Sequence, residues 1–172
     1  MQMVKRIIGG FFLLVILLWL LSPKQELYYL LEKELKKSDI IISNETIKDT
    51  WYGVKISDAD IYIKGAKMAQ LSELEFNIFF LYNRLTVKNI LTNKAFHNDA
   101  PKSIEEINVI YSILDPLHIK LDSIGSFGEA NGEVNIKDRT ITIGFPIAKE
   151  IKPFRKFLKK DSTGEWKYET NY

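Results

Sequence analysis

From residue 39 to the C-terminus, apolar and polar residues exchange places at every second position, and the runs are joined by short links. That period belongs to extended chain, whose successive side chains point to opposite faces of a sheet. Ile40 and Ile42 open the pattern. Val54 and Ile56, then Ala59, Ile61 and Ile63, alternate with Lys55, Asp58, Asp60 and Lys64 as far as Gly65. Leu74, Phe76, Ile78 and Phe80 alternate with Glu73, Glu75 and Asn77, and Tyr82-Asn83-Arg84 predicts a hairpin turn into Leu85, Val87 and Asn89. Ile107–Ile113 and Leu117–Ile124 flank Asp115-Pro116, while Phe127–Ile136 and Thr140–Ile143 flank Lys137-Asp138-Arg139. About seven strands with such short links must pair antiparallel, since parallel neighbours need long crossovers. The polar break from Asn93 to Ser103 reads as a surface loop dividing the sheet in two.

The N-terminal part obeys a different rule. Ile7 to Pro23 are 17 residues without a formal charge, most of them Leu, Ile, Val, Phe or Trp. As a helix they would span about 26 Å, close to a hydrocarbon core of about 30 Å. No pair of small residues at alternate positions precedes Lys24, so a retained anchor is favoured over a cleaved signal peptide. Lys5 and Arg6 before it place the N-terminus in the cytoplasm by the positive-inside rule. The expected location is therefore an inner membrane crossed once, with the C-terminal domain in the periplasm. The expected layout is a cytoplasmic tip and transmembrane anchor over 1–23, a juxtamembrane helix over 24–38 and a β-rich domain over 39–172. Leu27, Leu30, Leu31 and Leu35 give the middle segment its helical stripe, and a second helix is expected to start at Pro153. The fold class is mainly β with flanking helices: one N-terminal transmembrane helix, then a twisted, largely antiparallel sheet.

Composition narrows the function. Lys and Arg number 24 against 22 Asp and Glu, and a net charge of +2 argues against a nucleic-acid partner. The absence of cysteine excludes a thiol nucleophile, a disulfide scaffold and Cys-ligated metal. His97 and His118 have no second histidine at ligand spacing. Asp58 and Asp60 would share a sheet face, but lack the further oxygens that a hard cation needs. Gly125, Gly128 and Gly132 precede a strand and not a helix, so they are no dinucleotide fingerprint. No enzyme, cofactor or metal site is expected, and no catalytic residue is assigned.

Two features point to contacts. Lys149, Lys152, Arg155, Lys156, Lys159 and Lys160 stand against Glu150 alone, so residues 149–160 carry +5 while the rest of the chain sums to −3. With Ile151, Phe154, Phe157 and Leu158 they form a basic amphipathic segment. It suits either docking on the sheet or contact with anionic headgroups or an acidic partner, each Lys or Arg near a membrane being worth about 1 kcal/mol. The run Phe76-Asn77-Ile78-Phe79-Phe80-Leu81 is apolar on both faces of a strand and must be covered on both. Phe76, Ile78 and Phe80 are the candidate lining of a lipid groove.

An N-terminal anchor followed by Trp51-Tyr52-Gly53-Val54, by Leu85-Thr86-Val87-Lys88-Asn89-Ile90 and by Gly128-Glu129-Ala130-Asn131-Gly132-Glu133-Val134-Asn135-Ile136 resembles protein N of type II secretion systems and the wider AsmA-like envelope proteins. The tail from Pro153-Phe154 through Gly164-Glu165-Trp166 is similar too. The resemblance implies a membrane-anchored accessory or lipid-proximal protein without a catalytic site, and it carries over no functional residue. The leading expectation is a non-enzymatic structural or assembly component of an envelope-spanning machine: a secretion system, a pilus or a flagellar motor. Its partners would be other envelope proteins or further copies of itself. The alternative is a lipid-handling envelope protein.

Overall fold

The computed structural model describes Gly10, Phe11, Leu13, Leu14, Leu17 and residues 24–79 and 81–172. A helix, α1 (Lys24–Lys37), leads into strands β1 (Ile40–Ser43), β2 (Thr46–Thr50), β3 (Gly53–Ile63), β4 (Ala66–Ile78) and β5 (Tyr82–Thr92). After the 93–102 connection come β6 (Ser103–Ser112), β7 (Asp115–Gly125), β8 (Gly128–Asn135), β9 (Thr140–Ala148), β10 (Lys159–Lys160) and β11 (Trp166–Asn171). All the described strands belong to one sheet in the order β1-β3-β4-β5-β6-β7-β8-β9-β11-β10, with β2 also paired to β3. Every pairing is antiparallel. From β3 to β9 the sheet is a plain meander, as the short links required.

Register sorts the side chains into two unlike faces. Ile56, Leu74, Val87, Ile107 and Ser123 form one cross-strand row, and Val54, Phe76, Leu85, Val109, Leu121, Gly132 and Ile143 form the next on the same side. The opposite face carries Lys55, whose Nζ lies 2.6 Å from Glu73 and 3.4 Å from Glu75, and Lys88, 3.6 Å from Glu73. Solvent screens these half-exposed pairs, so they add little to stability. Their main effect is to keep this face wet.

The alternation breaks once, in register, on four adjacent strands. Ser57-Asp58, Ser72-Glu73, Lys88-Asn89 and Glu105-Glu106 each put two consecutive residues on the polar side. Ala59, Leu71, Ile90 and Ile104 then return to the apolar side, and Asp58 and Asn89 take the left-handed backbone (φ 56° and 54°) that the reversal needs. Aligned irregularities of this kind bend a sheet, as single bulges bend single strands. The crease curls the apolar face inward.

Two elements cover the ends of that face. Helix α1 packs Tyr28 and Leu35 against Ile42, Val54, Ile56, Ala59, Leu71, Leu74 and Val87. Glu26 in its first turn and Lys36 and Lys37 in its last complement the helix dipole. Asp39, with φ 58°, ends it. At the other end Ile151, Phe154 and Leu158 pack on Phe127, Ala130 and Phe145.

Several expectations need correction. The sheet has eleven strands among the described residues, not about seven; β2 and the two-residue β10 are among those that the alternation did not mark. The expected helix at Pro153 is absent: Ile151 to Leu158 advances by three-residue turns, with a single 3-10 turn at Arg155–Phe157. From Pro153 the chain must re-enter the sheet at Lys159, which leaves less than about two helical turns. Among the described residues from Lys24 onward one short α-helix, and not flanking helices, accompanies the sheet. The transmembrane helix fares no better, since no helix of the described residues is long and apolar enough to cross a membrane. Most of the 7–23 segment on which it was placed lies outside the described residues.

Candidate functional site

Between α1 and the C-terminal segment the apolar face of the sheet has no covering element among the described residues. It forms a trough with two hollows. One, of about 520 Å³, is lined by Leu31 from α1 and by Phe76, Ile78, Leu85, Val109 and Ile119, with Asn83 and Tyr111 among them. The other, of about 230 Å³, lies among Ile107, Leu121, Phe127, Ile143, Phe145 and Phe154. Val109 of the first hollow is the direct cross-strand partner of Leu121 of the second, so the two lie side by side on the apolar face. From β4 to β9 the trough crosses five strand spacings, about 24 Å. Its lining is half-buried: Leu85, Val109, Ile119, Leu121 and Ile143 each keep part of their surface in contact with solvent.

The larger hollow has a polar corner. Asn83 and Tyr111 are cross-strand partners on the apolar face. The Asn83 Oδ1 is buried without a hydrogen-bond partner among the described residues. Such a group normally costs about 1–3 kcal/mol until a donor reaches it. A donor on a bound molecule would satisfy it.

Of the residues singled out from sequence, Phe76 and Ile78 line the larger hollow, and Phe80 lies outside the described residues. Strand β4 ends at Ile78, so Phe79 and Leu81 belong to the turn and not to a strand that is apolar on both faces. The predicted turn at Tyr82-Asn83-Arg84 is instead the start of β5. The basic residues are dispersed. Lys156 pairs with Asp99 at 2.9 Å, and Arg155 and Lys160 both sit over the Trp166 ring, 4.9 Å and 5.1 Å from its centroid. Lys149 and Lys152 border a cleft with Pro101, Lys102, Ser126 and Glu150, where Lys102 holds Glu150 at 2.7 Å and keeps its carboxyl below the usual range. Lys159 is exposed on the edge strand.

The minor candidates separate as well. Asp60 is bound by Lys67 at 2.7 Å and by Asn44 at 2.9 Å, and these hydrogen bonds lower its pKa, while Asp58 is exposed at the crease. No group of three or more His, Asp or Glu among the described residues is placed to hold a metal ion. His97 Nε2 meets the Thr92 carbonyl at 3.0 Å. His118 Nδ1 meets Asp115 at 2.6 Å, which raises its pKa, and its Nε2 lies 3.8 Å from Glu133. Gly128 serves packing: with φ +93°, a Cβ there would stand 1.7 Å from the Ile147 carbonyl oxygen.

Sequence reasoning missed the ends of the hairpins. Trp51, Phe79, Leu81, Ile113, Leu114 and Ile136 are all exposed, and each lies in or beside a turn. The available signal was the presence of large apolar residues at positions where turn formers are expected.

No protein-family model, no curated protein and no solved structure matches this chain.

Proposed function

We propose that this chain is a non-enzymatic lipid-handling protein, which holds the acyl part of an amphiphile along the apolar trough. The observation that carries this reading is the adjacency of the two hollows, with Val109 and Leu121 paired between them, on a face that no other element covers among the described residues. The larger hollow falls in the usual size range of ligand sites, roughly 300–1,000 Å³. A length of about 24 Å suits an extended chain of sixteen to eighteen carbons better than a compact ligand. The resemblance to AsmA-like envelope proteins points the same way. Native mass spectrometry of the full chain released from membranes tests it. A stoichiometric adduct of lipid mass is expected, and a chain that carries no lipid and takes up none from vesicles would end the proposal.

A second reading, a structural subunit of an envelope-spanning assembly, is favoured by a different observation. β10 pairs with Trp166 and Lys167 only, so the outer backbone of Tyr168–Asn171 faces no strand among the described residues. An open edge of this kind accepts a strand from another chain. Crosslinks from these positions to a partner protein, with no lipid in the trough, would favour it over the first.

A further inference from the structure

Alternate turns of a meander lie at the same end of the sheet. Here the β2–β3, β4–β5, β6–β7 and β8–β9 turns share one end, and the residues they present there are unusual. Trp51 is 73% exposed and Leu114 82%, with Phe79, Leu81, Ile113 and Ile136 exposed beside them. Tyr52 stacks on Phe79, which ties the first two tips together. At the opposite end the turns are Lys64-Gly65, the 93–102 connection and Ser126-Phe127, polar or folded into the core.

Three further facts say what covers this end. The Gln25 side chain donates to Asp49, one residue before the Thr50–Gly53 turn, at 2.9 Å. The N-terminus of α1 therefore sits beside the Trp51 tip. Lys137 and Arg139 are exposed on the fourth tip, next to Ile136. The trough reaches this end too, through Ile78, Asn83 and Tyr111. Successive tips stand two strands, about 10 Å, apart. Separate apolar protrusions at that spacing need a pocket each on a rigid partner, but enter a fluid hydrocarbon layer without one.

We propose that this end of the sheet docks on a lipid bilayer, with Trp51, Phe79, Ile113 and Leu114 in the interfacial layer and Lys137 and Arg139 on anionic headgroups. Aromatic side chains favour that layer, and basic ones gain from a negative surface. The contact does not depend on whether the trough holds lipid. It is distinct from the basic 149–160 segment, which packs at the far end of strands about 30 Å long.

The test uses the full chain with Trp19→Phe and Trp166→Phe, leaving Trp51 as its tryptophan, mixed with phosphatidylcholine–phosphatidylglycerol vesicles whose acyl chains carry bromine. Trp51 emission is expected to shift to the blue and to fall at least twofold, and adding Leu114→Glu is expected to restore most of it. A Trp51 emission that vesicles leave unchanged, whether or not the protein floats with them, overturns the proposal. In the companion chain with Trp19→Phe and Trp51→Phe, Trp166 is expected to stay unquenched. Quenching of Trp166 without quenching of Trp51 would place the basic segment on the bilayer instead, and also overturns it.

Discussion

Val109 on β6 and Leu121 on β7 face each other across the sheet, and each belongs to a different hollow. The pair sets the two depressions side by side along one apolar row. A tryptophan at 121 should dam the trough. Because the hollow is open, Leu121→Trp is expected to change stability by no more than about 1 kcal/mol. Lipid uptake should fall at least tenfold, measured by titration with a fluorescent fatty acid beside a urea melt of the same sample.

The covered end of the face should behave as an ordinary core. Ile56 is almost completely buried beneath α1, so Ile56→Ala is expected to cost about 2–5 kcal/mol. Leu114→Ala, at an exposed tip, should stay within about 0.5 kcal/mol of the parent. Parallel denaturant titrations check both.

Gly128 starts β8 in the left-handed region, with the Ile147 carbonyl oxygen where a Cβ would go. Both the backbone angle and the contact oppose a side chain, and the contact is with backbone that cannot swing aside. Gly128→Ala should cost more than about 2 kcal/mol and loosen the Phe127–Phe145 contact. Near-ultraviolet circular dichroism and a thermal melt read the two effects.

Asp115 raises the pKa of His118 above its ordinary value of about 6.5, chiefly through their hydrogen bond. A folded-state pKa above the unfolded one stabilises the protonated form. The contribution is complete below about pH 6.5 and is lost as pH rises through the folded value. The melting temperature should therefore decline across that window, and Asp115→Asn should flatten the decline. An NMR titration of His118 with a midpoint at or below about 6.5 would contradict this account.

Much of the sheet was legible because each strand's alternation is local. Val54 and Ile56 against Lys55, or Leu74 and Phe76 against Glu75, state their face without help from the rest of the chain. The crease was written there too, as three-residue steps from Ile56 to Ala59, Leu71 to Leu74, Val87 to Ile90 and Ile104 to Ile107. It takes the register to align four such steps into one bend. Phe76 and Ile78 line the larger hollow, although they were singled out from a run apolar on both faces that the structure divides between β4 and a turn. Val109, Ile119 and Leu121 were not singled out, since exposure of an apolar face depends on what fails to cover it. The C-terminal helix was misread because Ile151, Phe154 and Leu158 keep helical spacing while serving a turn that reaches the sheet.

The trough is the central claim, and photo-crosslinking addresses it most directly. A benzophenone amino acid replaces Val109 in one chain and its neighbour Ile110, which pairs with Arg84 and Lys120 on the polar face, in another. After irradiation in membranes, mass spectrometry should find lipid joined to position 109 and little or none at 110. Equal labelling at both positions, or none at 109, would contradict a lipid-holding trough.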